Sequence, residues 1–176
     1  MERHHLMTRY LPLIAALTAA PTIAAADSPK PIASLKRLVG TWKGTGTMAM
    51  GKDKVKVDAS YECRLTSGEF GVACSLRMTG IPGVATYEES DLFGYEPNSS
   101  TYHWYAVTNA GETHDHAAKP PTGGSIHWSY TGLQDGKPFK EVVDMDVAND
   151  DSSIAVHAVA TVAGALVSTL DVKIHK

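Results

Sequence analysis

The chain has 176 residues, of which 16 are basic and 19 are acidic, so its formal net charge is −3 with histidine neutral. This balance provides no basic stripe and therefore excludes a typical nucleic-acid-binding surface. The length is sufficient for one domain with a substantial core.

The N-terminal residues predict a secretory leader. Two arginines precede an apolar run over residues 11–20, and three alanines end at Ala26. Charged, apolar and small residues follow one another in this order in signal peptides, and the run is shorter than the ~20 residues of a membrane helix. We therefore expect residues 1–26 to be a signal peptide, with a retained membrane anchor as the alternative. Residues 27–176 would form one periplasmic or secreted domain without a membrane span.

Gly40 and Trp42 mark the start of the first predicted strand, after a short apolar, helix-like stretch from Ile32 to Val39. Glycine leaves room for an indole ring and tolerates a sharp bend into the strand. The large ring of Trp42 can then close one end of a barrel. We therefore assign both residues a structural role.

Downstream of Gly40, apolar residues alternate with polar ones, and turn signals interrupt the alternation at short intervals. The predicted strands are 41–49, 54–65, 70–79, 85–95, 101–108, 112–118, 125–131, 138–147, 153–162 and 165–175. Consecutive hairpins of this number readily close into a barrel, which removes exposed strand edges. The sequence thus predicts an all-β, antiparallel up-and-down barrel of about ten strands with a short N-terminal helix.

The second and third strands predict a disulfide between Cys63 and Cys74. A two-residue turn at Gly68-Glu69 would place the two cysteines directly opposite each other on the inner face. An oxidising compartment favours their pairing. The alternative is two buried thiols that act as small apolar residues.

Strands 85–95, 101–108 and 112–118 carry polar residues on both faces. A barrel with one apolar half and one half of aromatics and convergent polar groups is typical of a small-molecule cavity. The alternative is an exposed, two-sided polar sheet with aromatic cross-strand pairs. For the cavity, we expect the ligand-binding walls to include Phe93, Tyr102, Trp104 and Trp128.

Two histidines two positions apart, His114 and His116, project to the same side of a predicted strand. With His103 on the preceding strand they could ligate a zinc ion. The alternative is exposed histidines at a strand end.

Glu141 has the inward parity of Val143 and Met145. A buried carboxylate is costly unless it is paired or protonated, so Glu141 is a candidate ligand-facing residue with a raised pKa. A position near the rim, or a pair with an internal lysine or arginine, is the alternative.

No nucleophile elbow, phosphate-binding glycine loop or nucleophilic cysteine environment is present, which favours a binding protein over an enzyme. The predicted role is to bind a small apolar or amphipathic molecule inside the barrel. The alternatives are a metal- or haem-dependent activity of the histidines in 103–116 and a structural or interaction role in the cell envelope with a filled barrel.

The segment from Gly40 to Gly46, together with residues 92–98 and the following Tyr102 and Trp104, resembles the calycin-type, lipocalin-like barrels. It is most similar to the DUF1579 family of bacterial proteins, whose function is unknown. The resemblance therefore implies a fold and no activity. Lipocalins place a basic residue of the last strand against the opening tryptophan. Lys173 is the candidate here, although its parity points outward.

Nitrobindin-type barrels, which are related, bind haem through a histidine. Their opening segment runs on to a Tyr-Pro pair where this chain has residues 48–50, Met-Ala-Met. No cofactor is therefore predicted, and haem or zinc stays an alternative that the histidines leave open.

Overall fold

The computed structural model describes residues 30–121 and 123–176, which form one helix and ten strands. The helix is α1 (Lys30–Lys36). The strands are β1 (Gly40–Met50), β2 (Asp53–Thr66), β3 (Gly71–Thr79), β4 (Tyr87–Glu96), β5 (Thr101–Thr108), β6 (Thr113–Ala118), β7 (Ser125–Gln134), β8 (Lys137–Val147), β9 (Ser153–Val162) and β10 (Ala165–His175). Each strand pairs antiparallel with its sequence neighbours, and β1 pairs with β10 to close the barrel.

The predicted antiparallel up-and-down barrel is confirmed, because the alternation in the sequence is the alternation of inward and outward side chains. On β2, Val57, Ala59 and Tyr61 are buried, whereas Lys56 and Asp58 are exposed. The predicted signal peptide lies outside the described residues.

The α1 end of the barrel is filled. Ile32 and Leu35 of α1 are buried, as are Leu38 and Trp42 where the chain enters β1. The indole Nε1 of Trp42 donates a 2.7 Å hydrogen bond to the Leu38 carbonyl, and the Lys176 ammonium lies 4.6 Å from the centre of its ring. A basic residue therefore does cover the opening tryptophan, but it is the C-terminal lysine.

Arg37 ties the segment after α1 to the turn between β8 and β9. Its Nε donates to Asp151 at 2.7 Å, and its guanidinium also donates to the carbonyls of Ala148 at 2.6 Å and Val147 at 3.2 Å. These charge-assisted bonds hold α1 and the segment after it, which close this end of the barrel, against the barrel wall.

Close pairing of β1 with β10 requires glycine at positions 44 and 46 of the opening motif. A Cβ atom on Gly44 would lie 2.0 Å from the Lys173 carbonyl oxygen, and one on Gly46 would lie 2.1 Å from that of Asp171. Only glycine permits this close approach of the two backbones. The motif thus contributes to barrel closure at two places.

The predicted register of β2 and β3 is confirmed, with Cys63 opposite Cys74, and the two residues form a disulfide. The bond links neighbouring strands near the filled end. Among the described residues, no helix is both long enough and apolar enough to span a bilayer.

Candidate functional site

The half of the barrel away from α1 retains an interior cavity of about 250 Å³. Its apolar lining comes mainly from Met48, Leu76, Met78, Val143, Val156 and Leu170. Its polar lining comes from Tyr87, Glu89, His114, His116, Glu141 and Ser168. An apolar chamber with a few convergent polar groups is the usual form of a small-molecule site.

The cavity adjoins the rim of the barrel. A rim depression of about 540 Å³ shares Met48, Met50, Glu141, Ala160 and Ser168 with it. A molecule could therefore enter from this end without displacing α1.

Of the four predicted aromatic wall residues, Trp104 lines the cavity. Phe93, Tyr102 and Trp128 are buried below it, towards α1. The Phe93 ring centre lies 5.4 Å from that of Trp104 and 5.6 Å from that of Trp128, and Tyr102 lies 6.2 Å from Trp128. The four aromatic residues thus form the floor of the cavity, and of these four only Trp104 lines it.

His114, His116 and Glu141 converge on the cavity wall, with one ligand atom from each within 4.8 Å of the others. His116 Nε2 lies 2.8 Å from Glu141 Oε2, and His114 Nδ1 lies 3.5 Å from the same oxygen. The two histidines occupy alternate positions of β6, and Glu141 comes from β8. Barrel curvature brings these strands together across the intervening β7.

The expected raised pKa of Glu141 is wrong. Burial alone would raise it, but hydrogen bonds and charge from His114 and His116 outweigh burial and lower the pKa to about 2. The hydrogen bond to Glu141 also raises the pKa of His114. Glu141 is therefore an ionised carboxylate paired with histidines instead of a lysine or arginine.

Stacked aromatic rings hold both histidines in place. The His116 ring lies 4.4 Å from Trp104, and the His114 ring lies 4.3 Å from Tyr130. His116 is only 2 % exposed, and its Nδ1 has no hydrogen-bond partner among the described residues.

His103 does not join this cluster. It lies on the outer face of β5, where its Nδ1 is 3.0 Å from Asp115. His127, His157 and His175 are exposed, as their strand parity predicts. The third group beside the histidine pair is Glu141, which the sequence analysis placed in the ligand-binding set.

A second polar network, which the sequence analysis missed, lies deeper in the barrel. Buried Asp91 accepts hydrogen bonds from the Tyr61 hydroxyl at 2.8 Å and from Trp104 Nε1 at 2.7 Å. Burial, and then the nearby Glu89, raise the pKa of Asp91. Glu89 in turn accepts a 2.5 Å hydrogen bond from the Tyr87 hydroxyl.

The signal for this network was present in the sequence. Asp91 and Glu89 share strand parity with Phe93, so an inward Phe93 also turns both carboxyl groups inward. The sequence does not show which face of β4 points inward, because β4 carries polar residues on both faces.

No protein-family model and no curated protein matches the sequence, so membership of the DUF1579 family is not shown. Solved structures do match. Rv2717c from M. tuberculosis superposes with a TM-score of 0.63 at 14 % identity, covering 85 % of this chain and 99 % of that chain. The S-type phycobiliprotein lyase CpeS from Guillardia theta superposes with a TM-score of 0.51 at 9 % identity, covering 79 % of this chain and 87 % of that chain. At such identities the likeness shows a shared barrel fold and nothing further.

Proposed function

We propose that this chain is an exported barrel protein that binds one small amphipathic molecule in its interior. The observation that carries the proposal is the cavity of about 250 Å³, which is apolar over most of its wall and bears ionisable groups at one side. The apolar part of the molecule would lie against Leu76, Met78 and Leu170. Its polar part would meet His114 and Glu141.

The cavity favours binding over the alternative of a filled structural barrel. Burial of a ligand's apolar surface in such a chamber contributes about 25 cal/mol per Å². The volume is slightly below the ~300 Å³ at the lower end of ordinary ligand pockets. The occupant is therefore a small molecule and not a polypeptide.

Two features support export. The Cys63–Cys74 disulfide is typical of proteins that fold in an oxidising compartment. The N-terminal sequence has the charged, apolar and small-residue order of a cleaved leader.

Amphiphile binding can be tested with N-phenyl-1-naphthylamine, a neutral fluorescent dye, added to the protein in the presence of a metal chelator. A neutral dye is used because the Glu141 carboxylate on the cavity wall would repel an anionic one. Ala158 lines the cavity, so Ala158→Leu places a larger side chain in the empty space. We expect saturable one-to-one binding that this variant weakens at least about tenfold, which corresponds to about 1.4 kcal/mol.

The matched control is Ala118→Leu, which adds the same atoms at the filled end, away from the cavity. Its affinity should stay within about twofold of the unmodified chain. Near-ultraviolet circular dichroism must show fixed tertiary packing in each sample, because the dye also binds loosely packed states. Equal affinity of Ala158→Leu and the unmodified chain would contradict the proposal.

A further inference from the structure

We propose that His114, His116 and Glu141 form a binding site for a divalent transition-metal ion, with zinc as the best-fitting class. The site goes beyond amphiphile binding and does not depend on it. Two imidazoles and one carboxylate are a donor set that zinc and similar ions take in proteins.

The geometry places one donor atom of each residue near a common point. His116 Nε2 and His114 Nδ1 lie 2.8 Å and 3.5 Å from the same oxygen of Glu141. An ion at this point would replace the hydrogen bonds that now join the three side chains. Little movement is needed, because all three atoms already lie within 4.8 Å of one another.

The charge of the surroundings also favours a cation. Glu89, Asp91 and Glu141 all face the barrel interior, yet no lysine or arginine lines the cavity among the described residues. Among the residues that line the cavity, the basic groups are the two histidines. A divalent ion would place positive charge directly beside the Glu141 carboxylate.

The supporting residues suit a metal site as well. Stacking on Trp104 and Tyr130 orients the two imidazole rings. Glu112 lies 4.0 Å from His114 Nε2, on the side of the ring away from the donor atom. A carboxylate that hydrogen-bonds this nitrogen orients a metal-bound histidine, and a movement of about 1 Å would bring Glu112 into that range.

Three protein ligands leave a coordination position open, and all three residues line the cavity. The open position therefore faces the chamber, where a water or a bound molecule could occupy it. The cavity does not fit haem, because its volume of about 250 Å³ is below that of ordinary small-ligand pockets and a porphyrin is larger than most small ligands.

The test is equilibrium dialysis of Zn²⁺ against the protein, purified without a polyhistidine tag and free of organic ligand. The expected result is one equivalent of zinc per chain. Both His114→Gln and His116→Gln should weaken binding at least about tenfold, and Glu141→Gln should do the same. The matched control is His157→Gln, which removes an exposed histidine that lies 2.7 Å from Asp171, and it should leave the affinity unchanged.

Thermal unfolding of every variant without metal shows whether the fold persists, and each affinity is compared only among folded variants. Should His116→Gln fail to fold, Glu141→Gln and His114→Gln carry the test. Absence of stoichiometric zinc binding would overturn the proposal, as would equal loss in His157→Gln. The dye titration is performed in chelator and zinc dialysis without dye, so either proposal can fail alone.

Discussion

The two halves of the barrel are built from the same strands but packed differently. Towards α1, the interior is filled by Trp42, Phe93, Tyr102 and Trp128, all fully buried. Away from α1, the side chains are thinner or polar, and a cavity remains. The difference indicates that the filled half supplies stability, whereas the open half is available for binding.

The largest expected effect is in the filled half. Trp42→Ala removes a fully buried ring together with its hydrogen bond to Leu38, and should lower the free energy of unfolding by about 3–5 kcal/mol. Denaturant unfolding measures it. As a control, Trp128→Phe should cost less than Trp42→Phe, because within the described part of the chain Trp128 Nε1 has no hydrogen-bond partner to lose. A cost below about 1 kcal/mol for Trp42→Ala would refute the assignment of stability to this half.

Removal of the disulfide should have the next largest effect. The double substitution Cys63→Ala and Cys74→Ala opens a covalent loop with a sequence separation of 11 and should cost about 2–3 kcal/mol. Chemical denaturation gives the value. Because neither cysteine lines the cavity, dye affinity at a temperature where the variant is folded should not change. A large loss of affinity would show that the two halves are coupled.

Adding volume distinguishes the halves more finely. Ala118→Leu forces atoms into a filled region and should cost about 1–3 kcal/mol. Ala158→Leu extends into the cavity and should cost less, because space is present there. Thermal unfolding of the two variants makes the comparison. Equal costs would mean that the open half is packed as tightly as the filled one.

The last effect, at most about 1.4 kcal/mol for each pH unit, concerns the buried carboxyl group of Asp91. Burial raises the pKa of Asp91 in the folded protein, whereas in the unfolded chain this carboxyl titrates near 3.8. At pH values between the unfolded and the folded pKa, folding therefore takes up a proton. The contribution of Asp91 to stability therefore falls as pH rises through that window. Asp91→Asn removes this dependence, so the unfolding free energy of the native chain should fall relative to the variant by up to about 1.4 kcal/mol per pH unit. Parallel stability curves from pH 4 to 7 would contradict the raised pKa.

The barrel was predictable because alternation at every second residue directly reports which face is buried. The β2–β3 register was predictable from the turn at Gly68-Glu69, which places Cys63 opposite Cys74. Inward parity also identified Glu141 as a residue of the interior.

The site itself was only partly predictable. His116 and Glu141 lie on strands separated by β7, so their contact depends on the curvature of the closed sheet, which strand parity does not report. Strand parity did distinguish the two faces of β5: the side chains of His103 and Trp104 lie on opposite faces of the sheet. His103 was expected beside His114 and His116, but its position on β5 directs its side chain outward, towards Asp115.

The central claim, that a small amphipathic molecule binds in the open half, is tested most directly by the indole N–H signals in nuclear magnetic resonance spectra. The chain has three tryptophans, of which Trp104 lines the cavity and Trp42 and Trp128 do not. During titration with N-phenyl-1-naphthylamine, the account predicts the largest shift at Trp104 and none at Trp42. Saturable binding that leaves Trp104 unchanged, or that moves Trp42 most, would contradict it.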